Sequence, residues 1–259
     1  MFDQGSGPPL IVVPGVQGRW EWMRPALREL KRRCRTIAYT LCGDYGSEMR
    51  FDTSHGFETY IDQLDAIFDT ARLERAAVCG VSYGGFIALR YAATRADRVS
   101  ALILVSAPAP GWTPSPRQQR YLARPWLSTP LFMISSPIYT WREIRSALPD
   151  WRARVAFSVA QGARVLAAPM IPSRVASRVQ VQQRLEFGVD CGKVTAPTLV
   201  VTGEDQLDYV VPPPVTRQYL SLIQGSRYEK LDRTGHIGML THPRQFAEIV
   251  TRFVHGHSH

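Results

Sequence analysis

Short apolar runs that alternate with helix-periodic stretches predict an α/β protein: an open, mostly parallel six-stranded sheet with helices on both faces and one mostly helical insertion. Three observations lead there. From residue 9 to 105 each apolar run is followed by a segment with helical spacing; from 107 to 190 the alternation stops; from 197 to 254 it returns. A parallel strand buried on both faces needs the continuous apolar run, and the crossover to its parallel neighbour needs the helix.

The first strand is Pro9 to Pro14 (PLIVVP). Arg19 to Cys34 then sets Trp22, Ala26, Leu27, Leu30 and Cys34 at helical spacing. Arg35 to Leu41 reads as the second strand, and Phe57 to Arg72 as an amphipathic helix with its stripe through Tyr60, Ile61, Leu64, Ile67 and Phe68. Ala76 to Val81 is the third strand, Gly84 to Thr94 a helix and Val99 to Val105 the fourth strand. After Ser106 the stretch to Asp190 carries eight prolines beyond residue 111 and no clear strand, so we expect a core of residues 1–106 and 191–259 with 107–190 inserted as a separate subdomain. Pro197 to Thr202 and Ser226 to Leu231 supply the last strands, with helices over Pro214 to Ile223 and Pro243 to Val254.

Composition narrows the class. At 45% hydrophobic and 20% charged, the chain is globular rather than disordered or fibrous, and long enough to need neither disulfides nor structural metal. Cys34, Cys42, Cys79 and Cys191 form no C-x-x-C pair, and no basic segment precedes an apolar signal core, so we expect reduced thiols and a cytoplasmic location. Residues 125–140 carry no charge but are broken by Pro130 and Pro137, so no membrane span is expected. The net charge of +9 comes from arginine, because Lys31, Lys193 and Lys230 are the only lysines. Trp112 to Asp190 holds eleven arginines against four acidic residues, an excess of seven. Basicity confined to one segment, with no recognition motif, argues against nucleic acid as a partner.

The chemistry concentrates at strand ends. Gly80, Ser82 and Gly84 form G-x-S-x-G between the third strand and its helix, the spacing of a sharp turn that lifts a serine to the C-terminal edge of the sheet. A serine hydroxyl needs a base beside it, and an acid to orient that base. His236 lies just beyond the last strand, after Gly235, whereas His55 and His242 stand at helix starts and His255, His257 and His259 form a frayed tail. Glu204, Asp205 and Asp208 share the loop after the fifth strand. No Walker sequence, H-E-x-x-H or zinc-spaced Cys/His cluster is present, and Gly15 to Gly18 lacks the dinucleotide-binding pattern, so no metal or other cofactor is expected.

The order serine, acid, histidine, with the elbow in its strand–helix context, resembles the α/β-hydrolase fold superfamily over residues 9–106 and 196–254. The resemblance implies Ser82 as nucleophile and His236 as base. It favours Asp208 as the acid, because Val211 and Pro212 follow it in the family's register, with Asp205 as the alternative. It also implies an oxyanion hole formed by the N–H groups of Tyr83 and Val16, although Pro14 stands where the family usually has a bracing histidine. An aspartate at the elbow would mark dehalogenases and epoxide hydrolases, and Ser82 argues against both. So few residues precede the first strand that the N-terminal hairpin of larger relatives has no room, leaving an edge that is bare or paired with a second copy in a homo-oligomer.

The insert is expected to fold over the site as a cap. Gln17, Trp20 and Trp141 are candidate substrate-binding residues, and Phe132, Met133 and Phe157 suggest an apolar acyl or aromatic group in the small-molecule substrate. The insert's arginines add the hypothesis that the substrate is anionic. The expected activity is cofactor-free hydrolysis of a carboxylic ester or related acyl compound. A C–C bond hydrolase, perhydrolase or lyase would use the same residues, and a non-turnover small-molecule receptor is the reading from another class.

Overall fold

The computed structural model describes residues 1–127 and 140–257. One seven-stranded sheet runs in the order β1-β3-β2-β4-β5-β6-β7, where β1 is Phe2–Gln4, β2 Pro9–Val13, β3 Arg35–Ala38, β4 Ala76–Val81, β5 Val99–Val105, β6 Thr198–Thr202 and β7 Arg227–Lys230. The strands from β2 onward are parallel, and β1 pairs antiparallel with β3 through Asp3 opposite Ile37.

The expected six strands are therefore seven, and the edge predicted to be bare or partnered is covered by the chain's own first residues. Arg35 pairs with Asp3 at 2.7 Å and Lys31 donates to Gln4 at 2.7 Å. Three residues reading FDQ, with only the first partly buried, show neither an apolar run nor an alternation, so sequence patterning passes over them.

Alternate residues of each central strand enter two cores. Ile11, Val13, Val78, Leu102 and Leu104 pack on one face with helices α2 (Glu58–Thr70) and α3 (Gly84–Thr94). Leu10, Val12, Ala77, Ile103 and Val105 pack on the other with α1 (Arg24–Leu30) and α7 (Pro243–His255). The helix expected over Arg19 to Cys34 is shorter, a 3₁₀ turn Trp20–Met23 running into α1 with Pro25 in its first turn. The one expected over Pro214 to Ile223 is two short helices, Pro213–Arg217 and Tyr219–Leu222.

Between β5 and β6 the described residues hold α4 (Pro116–Ala123), a helical stretch 140–147, α5 (Trp151–Ala167) and α6 (Pro172–Gln182). Ser115 and Gln118 form a reciprocal capping box at the start of α4, and Asp150 accepts from Ala153 N at 3.0 Å at the start of α5. Helix α6 lays Ala176, Val179 and Gln182 inward, whereas α5 buries no residue. No single described helix is long and apolar enough to cross a membrane. The C-terminal ends of β2, β4, β6 and β7 converge on one edge of the sheet, and the site lies there.

Candidate active site

Ser82 leaves β4 with φ of 52°, a left-handed conformation that costs a non-glycine residue about 1–3 kcal/mol and needs its surroundings to hold it. Two backbone bonds do so: Ser82 N donates to Val105 O at 2.8 Å, and Gly85 N to Ser82 O at 2.8 Å. The turn is tight enough that a Cβ on Gly80 would stand 2.4 Å from the Gly84 carbonyl oxygen.

His236 arrives from the loop after β7. Its Nε2 lies 3.1 Å from Ser82 Oγ and its Nδ1 3.1 Å from Asp208 Oδ2. The other Asp208 oxygen accepts from Val210 N at 2.9 Å and Val211 N at 3.0 Å, so the carboxylate is pinned by its own turn and presents Oδ2 to the ring. The two loops are tied by Glu204, whose N–H donates to Thr234 O at 2.8 Å and whose carboxylate accepts from Arg233 N at 2.7 Å. Asp205 faces away and forms a two-pronged pair with Arg217 at 2.6 and 2.9 Å, so the alternative acid is out of reach of the imidazole. Burial works against a charged His236, but the charge and hydrogen bond of Asp208, followed by the charge of Glu143, outweigh it and raise the pKa above the ordinary histidine value. A neutral ring that donates Nδ1–H to Asp208 has Nε2 free to take a proton from Ser82.

Two residues that sequence reasoning did not single out complete the surroundings. Glu143, from the stretch 140–147, is 1% exposed and accepts from Ile237 N, next to His236. Burial pushes its carboxyl up to about 7, against the opposing hydrogen bonds from Gly235 and Ile237 and the charge of His236. Arg178 of α6 is buried in an ion pair with Asp44 and donates to Val16 O at 2.8 Å. Tyr83 OH in turn donates to Arg178 O at 3.1 Å. The Gly15 to Gly18 loop, where Pro14 replaces the family's usual histidine, is thus held by an arginine from the insert. Neither residue carries a motif, and each is one of many of its kind along the chain.

Ser82 opens into a cavity of about 990 Å³, including its mouth, with Val16, Gln17 and Tyr83 beside it and Trp112, Tyr121 and Met170 among the insert residues on its walls. Among the described residues, no charged side chain lines it. Gln17 lines the cavity. Trp20 does not: it packs on Phe2 with ring centroids 5.5 Å apart, under the Arg24 guanidinium, because the 3₁₀ turn carries it to the core beneath β1. Trp141 is 44% exposed and does not line the cavity, since its helical stretch turns Glu143 and Ile144 inward instead. Phe157 also stands off the cavity, and Phe132 and Met133 lie outside the described residues.

This sheet, with its serine elbow after β4 and its histidine after β7 on the same edge, defines a hydrolase fold. The sequence profile of the alpha/beta hydrolase family matches residues 10–249, and the chain belongs to that family and is a hydrolase enzyme. It is 25% identical over 261 residues to the 2-hydroxy-6-oxo-2,4-heptadienoate hydrolase of Pseudomonas putida, covering 98% of this chain and 91% of that one. In fold it is similar to an esterase from Exiguobacterium antarcticum (TM-score 0.80, 21% identity, 98% and 94% of the two chains). An enol-lactonase from Burkholderia xenovorans is similar too (TM-score 0.77, 20% identity, 98% and 95%).

Proposed function

We propose that the chain is a cofactor-free serine hydrolase of neutral carboxylic esters with an apolar acyl or aromatic group, working through an acyl-enzyme. One observation carries the reading: the Ser82–His236–Asp208 relay, with both links at 3.1 Å, opens into a cavity whose lining, among the described residues, bears no charge. Ser82 Oγ attacks the ester carbonyl as His236 Nε2 takes its proton. The oxyanion is held by the N–H groups of Val16 and Tyr83, the latter at the N-terminal end of α3, where the first N–H groups have no intrahelical acceptor. His236 then protonates the leaving alcohol. A water, deprotonated by His236, releases the acid, while Asp208 keeps the imidazole in one tautomer throughout. Residues 107–190 act as a cap over the core of 1–106 and 191–259, and Arg178 braces the Val16 peptide from the cap side.

A second reading, C–C bond hydrolysis, is favoured by the Pseudomonas putida relative, which is named for an oxo-dienoate. That substrate carries a carboxylate, and among the described residues no charged side chain lines the cavity to receive it. Labelling by a fluorophosphonate tests the proposal, with wild type expected to react and Ser82→Ala not. The variant is also expected to lose roughly 10⁴-fold or more in kcat on p-nitrophenyl butyrate. Labelling that survives in Ser82→Ala would overturn it, and faster turnover of the dienoate than of the ester would favour the second reading.

A further inference from the structure

Glu143 has no place in the relay, yet it reaches the relay from the insert. Both of its carboxylate oxygens lie 3.1 Å from Ile237 N, one residue beyond His236. The approach is close: a Cβ on Gly235 would stand 2.8 Å from Glu143 Oε2 and 2.3 Å from Leu207 O, so a side chain there would push the loop and the carboxylate apart. Two more contacts fasten the same helical stretch to the two loops. Arg233, three residues before His236, donates to Ser146 O at 3.0 and 2.7 Å, and Arg142 donates to the hydroxyl of Tyr209, which follows Asp208.

A carboxylate buried this far is a costly way to accept backbone N–H groups, because a glutamine's carbonyl oxygen also accepts from Ile237 N without carrying a charge. No cation pairs with Glu143 among the described residues. Arg233 is turned to Ser146 and Arg142 to Tyr209, and the titratable groups that bear on Glu143 are His236 and Asp208. The charge therefore acts on the ring. We propose that Glu143 is a positioning residue for His236, fixing the imidazole's loop through its backbone and adding negative charge beside the ring, so that the insert supports the proton relay itself. When Ser82 gives up its proton, the imidazolium forms with Asp208 at Nδ1 and is favoured by the charge of Glu143.

The inference rests on the reading of His236 as the base, and its test separates the two. Wild type, Glu143→Gln and Glu143→Ala are compared by the pH profile of kcat/KM on a neutral p-nitrophenyl ester and by NMR titration of the His236 imidazole. Glu143→Gln keeps an acceptor for Ile237 N and removes the charge. The acid limb and the His236 titration are both expected to move to lower pH by roughly 0.5 to 1 unit, with KM within about twofold of wild type. Glu143→Ala also frees the loop and is expected to lose roughly tenfold more in kcat than Glu143→Gln. A folded Glu143→Gln with an unmoved acid limb and an unmoved His236 titration overturns the proposal. If wild type shows no Ser82-dependent turnover, the reading of His236 as base fails, while the NMR titration still reports whether Glu143 acts on the ring.

Discussion

Asp208 and Asp205 stand three residues apart on one loop, yet one contacts His236 and the other Arg217. Asp208 is 3% exposed, with one oxygen on two backbone N–H groups and the other on His236. In Asp208→Asn the carbonyl can keep the backbone bonds, but the amide then faces Nδ1 with a donor and reverses the tautomer. The expected result is a fall in kcat of roughly 10³ to 10⁴, measured on the same ester. Asp205 is paired with Arg217 in water, and Asp205→Asn is expected to leave kcat within about twofold and to cost under about 1 kcal/mol of stability. The spacing of Asp208 from Val211 was legible because the turn it pins is local. Glu143 was not, because its partner is a backbone N–H 94 residues away that no side-chain pattern reports. Its burial also bears on stability. A carboxyl whose pKa is raised to about 7 on folding, from 4.5, stabilises the fold fully below pH 4.5 and loses that contribution as pH rises through 7. Glu143→Gln should therefore be more stable than wild type at pH 8, by on the order of 3 kcal/mol, and equal to it near pH 4. Urea denaturation at the two pH values measures the difference, and equal stability at pH 8 would remove the argument.

Among the elements, α6 ties the insert to the core by more than apolar contact. Arg178 and Asp44, each with a side chain only 1% exposed, join α6 to the loop after β3, and the same guanidinium holds the Val16 carbonyl. Removing one partner of such a pair leaves a buried charge uncompensated. Arg178→Met is expected to cost about 3–5 kcal/mol in urea denaturation, and adding Asp44→Asn should recover part of that loss. In both variants kcat should fall, because the Val16 peptide loses its brace. Additive losses in the double variant would mean that the two side chains do not act as a pair. The core strands were legible as continuous apolar runs because burial on both faces demands them. Helix α5 was not, since it buries no residue and so has no apolar stripe to find, although Asp150 marks its start. A different reason hides the 140–147 stretch, whose inward face is short and mixes Ile144 and Ala147 with a buried acid.

At the scale of the whole molecule, the sequence located the positive charge but not its direction. An excess of seven in Trp112 to Asp190 allowed two arrangements, arginines facing the substrate or facing solvent. Arg120, Arg124, Arg145, Arg152 and Arg184 are exposed, Arg178 is consumed by Asp44, and the described cavity lining is uncharged. Steering by exposed charges is screened within about 8 Å at physiological salt, whereas a charged group on the cavity wall would favour an anion by contact as well. Among the described residues, the contact half of anion selectivity is therefore missing. Raising salt from roughly 50 to 500 mM is expected to change kcat/KM for a neutral ester and for an ester with a carboxylate tail by similar factors, with the neutral ester preferred throughout. A steep fall for the anionic ester alone, beside a flat response for the neutral one, would place the insert's arginines over the mouth of the cavity and restore the anionic substrate.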